Sequence, residues 1–362
     1  MARTAHGLAG RAGRSRTKDR KRCFSGEQLT RMAGLVPAER QIAATVRSRI
    51  GGALVGADHT WLSVMVVVTA IELAWWTITW GFGLAPLPFL FSYLAFAFAG
   101  LGCTFAMHRV LRPQAPNPDW TSTVPATILV GIGASLFLPL KYAIPQLVPF
   151  WLDPLLASFE RSMFGADPWR LLDHLLGWAV VPIDRIYGLW LPTQSLVLFT
   201  VMLQPPSREK SRALIAYVLA WFLLGVVAAT VFSSAGPIFH DRIFGGTEFA
   251  ALTQSLHNRG AWVVLAESDR MWASLASAQP GLVSGISAVP SIHVAISVWI
   301  LLTARTMLPR AAPAAFSYAV FIWIGSVQLG WHYWMDGLVG ALGMLVIWAL
   351  SGVLRRKLEA KS

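Results

Sequence analysis

The sequence predicts an all-α integral membrane protein with about eight transmembrane helices. Three observations lead to this fold class. The 362 residues are 55% hydrophobic and only 13% charged, whereas soluble domains usually carry about 25% charged residues. Long stretches contain almost no charge, and a span needs about 20 mostly apolar residues to cross a bilayer. Because backbone groups in lipid must be satisfied internally, runs of this length are expected to be helices.

Eight apolar segments are the predicted spans. They lie at about 60–80, 88–107, 122–141, 183–203, 211–232, 288–306, 312–330 and 333–353. The chain also contains seventeen tryptophans, and this residue favours the boundary between water and lipid. The spans and the boundary residues together predict a multi-pass protein of the cell membrane.

The distribution of basic residues predicts the orientation. Lys and Arg are concentrated in the N-terminal tail, in segments 108–112 and 208–212, in the turn containing Arg305 and Arg310, and at 355–357. Each of these positions follows an even number of spans, and Lys/Arg-rich short loops stay in the cytoplasm. Both termini are therefore expected to be cytoplasmic. Segments 81–87, 142–182 and 233–287 and the turn near 331 then face outward, with one or two interfacial amphipathic helices in 142–182.

The N-terminal region gives the chain much of its net charge of +12. Residues 1–50 hold twelve Lys/Arg against three Asp/Glu, which predicts a disordered cytoplasmic tail over 1–58 near anionic lipid head groups. We therefore expect no nucleic-acid partner. Cys23 lies in this tail and Cys103 in an apolar span, so the sequence predicts neither a disulfide nor a metal site.

Two motifs carry candidate catalytic residues. His332 and Asp336 are four residues apart at the start of the eighth span, a spacing that places both on one face of a helix. A carboxylate beside an imidazole fixes its tautomer and leaves the other ring nitrogen free to attack. By chance, a His-x-x-x-acid pair is expected about 0.4 times in such a chain, so the spacing alone is weak. An ionisable pair at a span terminus is nevertheless a functional candidate.

The second motif is Pro290-Ser291-Ile292-His293, at the start of the sixth span. Pro and Ser are typical of a helix start, where free N–H groups attract anions. Spans six and eight run in the same direction, so His293 and His332 are expected at similar depth on the outer face. His293 could then exchange a proton with a leaving group or an acceptor. The alternative to a catalytic role is a structural role for each histidine.

At these residues the sequence resembles the type-2 phosphatidic acid phosphatase superfamily, and within it the branch of inositol phosphorylceramide synthases and their bacterial relatives. Pro290 to His293 matches the second motif of the family, and His332 to Gly337 matches the His-x-x-x-Asp of the third. The resemblance covers roughly residues 120–355. Weaker matches are Lys141 to Pro145, Asp153 through Trp169, and Ser234 to Pro237.

The resemblance implies a fold, a division of the chain and a mechanism. A six-helix phosphatase-like catalytic domain would occupy 120–355, preceded by an added transmembrane hairpin at 59–115. His332 would attack phosphorus to form a phosphohistidine, Asp336 would orient it, and His293 would act as acid and then as base. Neither a metal nor a soluble cofactor would be needed.

The sequence departs from the superfamily in its cations. The Lys and Arg-Pro of the first motif are missing, and Ser326 stands where the third motif carries an arginine six residues before its histidine. Charge on the phosphoryl oxygens still needs positive partners or N–H donors. Besides Ser291, the candidate substrate-binding residues on the outer face are Lys141, which ends span three, Arg161 and Arg242, with Arg185 as a further cation. An interfacial anchor is the alternative role for each cation.

The leading hypothesis is a lipid phosphotransferase that moves an inositol phosphate-type head group from a phospholipid donor to a diacylglycerol- or ceramide-like acceptor. A lipid phosphate phosphatase is the near alternative, and a non-enzymatic transporter or membrane scaffold is the alternative from another class. Transporters favour inverted repeats and polar sites near the midplane, whereas this polar cluster lies at span ends. The sequence leaves the head group open among inositol, glycerol, sugar and polyprenyl phosphates.

Overall fold

The computed structural model describes residues 60–79, 87–277 and 285–360, which belong to one compact unit, Gly52–Ser362. Within these ranges the chain is helical or irregular and contains no β-strand. The all-α prediction is therefore confirmed. The tail predicted at 1–58 lies outside the described residues.

The helices follow one another along the whole described chain. In order they are α1 Thr60–Thr79, α2 Leu87–Leu111, α3 Trp120–Leu147, α4 Asp153–Phe164, α5 Pro168–Leu176, α6 Val180–Gly188, α7 Trp190–Met202, α8 Arg208–Val231, α9 Pro237–Phe244, α10 Ala250–Arg259, α11 Trp262–Ala276, α12 Ile292–Met307, α13 Ala312–Gln328 and α14 Trp334–Glu359. A π-helical turn, Leu223–Ala228, lies inside α8.

Six of these helices are long and apolar enough to cross a membrane: α1, α2, α3, α8, α14, and α13 when the 3₁₀ turn Pro309–Ala311 that precedes it is included. The remaining predicted spans correspond to the shorter apolar helices α7 and α12, of 13 and 16 residues. The fourth predicted span, 183–203, is divided, because α6 ends at Gly188 and α7 begins at Trp190. Pro192 explains the division, since it has no N–H to bond the carbonyl of Gly188. The chain is a multi-pass membrane protein.

The centre of the bundle is α12, which packs against α8, α13 and α14. Trp299 of α12 is fully buried, and its indole N–H donates to the carbonyl of Ala213 in α8 at 2.8 Å. Gly340 of α14 lies directly against the backbone carbonyl of Ser291, where any Cβ would collide. This close approach brings the starts of α12 and α14 together.

The helices α1 and α2 flank this bundle. α2 packs against α3 and α7, and Glu72 of α1 is buried against α3, where a Cβ on Gly133 would lie 3.6 Å from its carboxylate. No ion pair to Glu72 is present in the described part of the chain.

A layer of shorter helices (α4, α5, α9, α10 and α11) covers the starts of α12 and α14. Carboxylates fasten this layer, because each accepts hydrogen bonds from the otherwise unpaired N–H groups at a helix start. Asp153 accepts from Ala235 and Gly236 ahead of α9, Glu160 from Met335 in α14, Asp184 from Val263 and Val264 in α11, and Asp241 from Phe249 ahead of α10.

Candidate active site

The structure brings the two histidine motifs together. His293 lies in the first turn of α12 and His332 just before α14, and their ring centroids are 5.7 Å apart. Both helices end in basic residues, Arg305 in α12 and Arg356 and Lys357 in α14. The candidate site and the basic ends therefore lie at opposite ends of these helices.

A backbone hydrogen bond fixes the spacing of the motifs. The N–H of Ser291 donates to the carbonyl of Asp336 at 3.0 Å, beside the contact between Gly340 and Ser291. Because both contacts involve main-chain atoms at the helix starts, the two histidines are held on one rigid frame.

His332 and Asp336 are neighbours, with 3.4 Å between Nδ1 and Oδ2. The sequence placed both on one helix face, but His332 lies in the turn ahead of α14, where Gly330 has a positive φ of 74°. The contact lies outside hydrogen-bond geometry, and Nδ1 has no hydrogen-bond partner in the described chain. Asp336 Oδ2 instead accepts from the N–H of Tyr333 at 2.9 Å. The carboxylate thus caps α14 and lies against the imidazole.

The His332 ring is only 4% exposed in side-chain area. Burial, helped by the positive charge of Lys141, lowers the pKa of His332 to about 3. The imidazole is therefore neutral at physiological pH. A neutral ring has an unprotonated nitrogen, which nucleophilic attack requires.

Two aromatic side chains hold His293. Tyr187 stacks on its ring at a centroid distance of 5.1 Å and an interplanar angle of 23°, and Trp190 lies at 4.2 Å. The Trp190 indole N–H also donates to the His293 carbonyl at 3.1 Å. Both residues flank the division between α6 and α7. The sequence analysis did not predict this division, although Pro192 within the apolar segment could have indicated a helix break.

The start of α12 has unused hydrogen-bond donors. Ser291 is its N-cap, as predicted, and its hydroxyl accepts from the N–H of Val294 at 3.4 Å. The N–H groups of Ile292 and His293 have no acceptor among the described residues. These two donors, at the positive end of a helix, form an arrangement that binds anions.

Lys141, near the end of α3, supplies positive charge to the same place. It interacts electrostatically with both His293 and His332. Gly285, with φ of 99°, packs on it so closely that a Cβ would lie 2.9 Å from Lys141 Cγ. Lys141 has neither a hydrogen bond nor an ion pair to any residue that the structure describes. Its charge is therefore available to an anionic ligand.

The predicted arginine ligands are already paired with carboxylates. Arg161 contacts Asp167 at 2.6 Å and Glu248 at 2.8 Å. Arg242 contacts Asp269 at 2.5 Å and lies over the ring of Trp272. Their assignment as substrate ligands stays a prediction, but their charges are largely compensated here. At the position of the missing family arginine, buried Ser326 accepts the N–H of His332 through its carbonyl.

Two buried carboxylates that sequence reasoning left without a role also act on the site. Glu160 is 2% exposed and accepts the N–H of Met335 at 2.8 Å. Burial raises the pKa of Glu160 to about 8, and the charges of Asp336 and Asp167 act in the same direction. Asp153, fully buried, holds Ser234, Ala235 and Gly236. The sequence signal for Asp153 and Glu160 was the presence of an acidic residue in an apolar segment, where a buried carboxylate needs hydrogen-bond partners.

Metal-binding side chains do not converge in the described part of the protein: no group of three or more His, Cys, Asp or Glu could hold an ion there. The site residues form instead an arrangement for acid–base and nucleophilic chemistry: a neutral imidazole beside a carboxylate, a second imidazole, a lysine and two backbone donors.

Comparison with curated proteins gives no significant match, and comparison with solved structures gives none either. The sequence model of the PAP2 superfamily matches residues 156–350. This range is slightly more than half of the 362 residues, and it contains both histidine motifs. The chain therefore belongs to the PAP2 superfamily, whose members are membrane-associated phosphatases and phosphotransferases.

Proposed function

We propose that this protein is a lipid phosphotransferase that works through a phosphohistidine on His332 at the extracytoplasmic face of the cell membrane. The single observation that carries the proposal is the 5.7 Å separation of the His293 and His332 rings, beside Lys141, which has no ion pair with any residue that the structure describes. A phosphoryl group placed between the rings is within reach of a nucleophile on one side and a proton donor on the other.

In the first half-reaction His332 attacks the donor phosphorus. Asp336 lies against Nδ1, and the attacking nitrogen is the one that the neutral ring leaves unprotonated. The N–P bond forms while the P–O bond to the leaving lipid alcohol breaks. His293, protonated once the negative charge of the bound phosphate offsets the charge of Lys141, gives its proton to the departing oxygen. The products are a free lipid alcohol and a phosphohistidine that still carries the head group.

The second half-reaction reverses these roles. Neutral His293 takes the proton of an acceptor hydroxyl, whose oxygen attacks phosphorus as the P–N bond breaks and His332 is released. Lys141 and the N–H groups of Ile292 and His293 stabilise the charge that develops on the other phosphoryl oxygens. This chemistry uses neither a metal nor a soluble cofactor.

The substrates we propose are a phospholipid donor with an inositol phosphate-type head group and a diacylglycerol- or ceramide-like acceptor. The resemblance of the two motifs to inositol phosphorylceramide synthases supports this substrate class. The basic ends of α12 and α14, opposite the site, support an outward-facing site with both termini cytoplasmic. The partner is the bilayer itself, and we propose no nucleic-acid partner.

A lipid phosphate phosphatase is the second candidate, because water in place of the acceptor hydroxyl completes the same chemistry and the superfamily contains both activities. The alternative of a non-enzymatic transporter or scaffold has less support, since family membership and the paired histidines both favour an enzyme.

The test uses purified protein in lipid nanodiscs with radiolabelled phospholipids, with and without diacylglycerol or ceramide. His332→Ala is the test variant, and His174→Ala, at an exposed histidine of α5, is the matched control. A new phospholipid that depends on acceptor and is lost only in His332→Ala supports the transferase. Water-soluble product without acceptor dependence supports the phosphatase. Unchanged turnover in His332→Ala would overturn the proposed site.

A further inference from the structure

Helix α4 has two faces of opposite character. Its outward side chains, together with Trp151 just before it, recur at every fourth position and are 45% to 59% exposed: Trp151, Leu155, Phe159 and Met163. Its inward side chains are Asp153, Ala157 and Glu160, all at most 2% exposed. A surface helix of a water-soluble protein normally exposes its polar residues and buries its apolar ones. In α4 the polar residues are buried and the apolar residues are exposed.

The inward face of α4 contacts the His332 motif directly and is linked to the segment ahead of the His293 motif through residues 234–236. Glu160 accepts the N–H of Met335, in the first turn of the helix that follows His332. Asp153 accepts from Ala235 and Gly236, and the carbonyl of the adjacent Ser234 accepts the N–H of Ala288 at 2.7 Å. Ala288 opens the segment that leads to His293. One helix therefore supports both sides of the site.

The outward face continues onto neighbouring elements. Leu171 and Leu175 of α5 are exposed, and so is Trp178 just after this helix, with 82% of its area exposed. Leu147 is exposed at the end of α3. At 12 and 9 residues, α4 and α5 are too short to cross a membrane. The exposed side chains of α4 and α5 therefore extend the apolar surface of α3 around the edge of the site.

We propose that α4 is seated in the acyl-chain layer of the leaflet next to the site, and that this seating holds His293 and His332 in their reactive arrangement through Asp153 and Glu160. The inference rests on the proposed function only where it speaks of catalysis. The occupant of the apolar face is lipid, because that face is continuous with the exposed apolar end of α3, a helix able to span the membrane. Asp153 and Glu160 are then positioning residues.

The first experiment measures the seating. In a chain with Cys23→Ser and Cys103→Ser, a bimane fluorophore is attached at Met163→Cys on α4 and, in a separate chain, at Asn258→Cys on the exposed polar face of α10. Nanodiscs contain phosphatidylcholine with spin-labelled acyl chains. We expect strong quenching at position 163 and little at 258. Equal quenching at both positions, or shielding of 163 by a second protein copy, would overturn the inference.

The second experiment measures the coupling without using activity. Phe159→Glu places a charge in the apolar layer, and Phe316→Glu, at a similarly exposed position of α13, is the matched control. Hydrogen exchange followed by mass spectrometry is measured in nanodiscs. We expect faster exchange in the peptides containing Ala235–Gly236 and Met335 in Phe159→Glu alone. The peptide containing Val263 and Val264, capped by Asp184 on α6, is an internal control and should not change.

Steady-state kinetics on the same variants complete the test. Since α4 positions the histidines and does not contact substrate, Phe159→Glu should lower kcat at least about tenfold while KM stays nearly constant. Glu160→Gln, which keeps an acceptor for Met335, should be milder than Glu160→Ala. Unaltered exchange at 235–236 and 335 would overturn the coupling. If the wild type turns over no lipid, the proposed function fails, while the quenching and exchange results still decide this inference.

Discussion

The starts of α12 and α14 lie side by side, but they differ in whether side chains accept hydrogen bonds from their free N–H groups. At α12 the only side-chain cap is the hydroxyl of Ser291, and the N–H groups of Ile292 and His293 have no acceptor in the described structure. At α14 two buried carboxylates, Glu160 and Asp336, accept the N–H groups of Met335 and Tyr333. The N–H groups at one helix start are open to an anion, whereas those at the other already have acceptors.

This difference separates the two roles that phosphoryl transfer requires. A phosphate group is attracted to the positive end of α12 and to Lys141, whereas the N–H groups of Tyr333 and Met335 at α14 are already hydrogen-bonded to Asp336 and Glu160. In the proposed mechanism, the α14 side therefore supplies the nucleophile and its carboxylate neighbour. The α12 side supplies the anion site and the proton donor of that mechanism.

The largest expected effect comes from removing the nucleophile on the α14 side. His332→Ala should lower kcat at least about 10³-fold, because no covalent intermediate can form. The measurement is turnover with labelled phospholipid, together with acid-labile label bound to the protein after rapid quenching. Label retained on the protein in His332→Ala would assign the nucleophile to another residue.

The next effect tests the proton donor on the α12 side. His293→Gln should lower kcat by about 10² to 10⁴-fold for a lipid alcohol leaving group, which needs a proton. The loss should be much smaller for a p-nitrophenyl phosphodiester, because this leaving group departs as an anion. An equal loss with both substrates would mean that His293 does not protonate the leaving group.

A smaller effect is expected for the cation. Lys141→Met should lower kcat/KM by about 10² to 10³-fold, the scale of losing one charge-stabilising donor, and Lys141→Arg should recover part of it. Arg161→Met and Arg242→Met are the comparison variants, and they should lose less because carboxylates already pair with these arginines. If either arginine variant loses more than Lys141→Met, the phosphate is bound elsewhere.

The smallest effect concerns stability. Glu160 has a folded pKa of about 8 against an ordinary value of 4.5, so between these pH values the folded state holds the extra proton. Its stability should therefore fall as pH rises through this window, by up to about 1.4 kcal/mol per pH unit for one proton. Glu160→Gln removes this titration. Melting temperatures between pH 5 and pH 9 should show a flatter profile for the variant than for the wild type, and identical profiles would contradict the assignment.

Much of the fold follows from the sequence because membrane spans are long and apolar, and each predicted span except the divided fourth one corresponds to a single helix. The pairing of His293 with His332 also followed, since it needs only the number and direction of the spans. The aromatic contacts of Tyr187 and Trp190 did not follow. They depend on how α6 and α7 pack after the division at Leu189, and periodicity does not encode tertiary packing.

The charged residues show the same limit. The sequence marks Glu160 and Asp153 as unusual acids in an apolar segment, but their hydrogen-bond partners are up to 175 residues distant along the chain. From the sequence, Lys141 is the first choice as phosphate ligand because it ends span three at the expected depth, but the sequence does not exclude Arg161 or Arg242. Only the positions of Asp167, Glu248 and Asp269 distinguish the paired arginines from the lysine without a partner in the described structure.

The hydrogen bond from Ser291 to Asp336, reinforced by the contact at Gly340, has a kinetic consequence. Because these contacts hold the two helix starts together, we expect the first lipid alcohol to diffuse away before the second occupies its position beside His293. In the proposed mechanism the enzyme then alternates between a free and a phosphorylated form. Initial velocities at several fixed acceptor concentrations should therefore give parallel double-reciprocal lines, the pattern of a ping-pong mechanism.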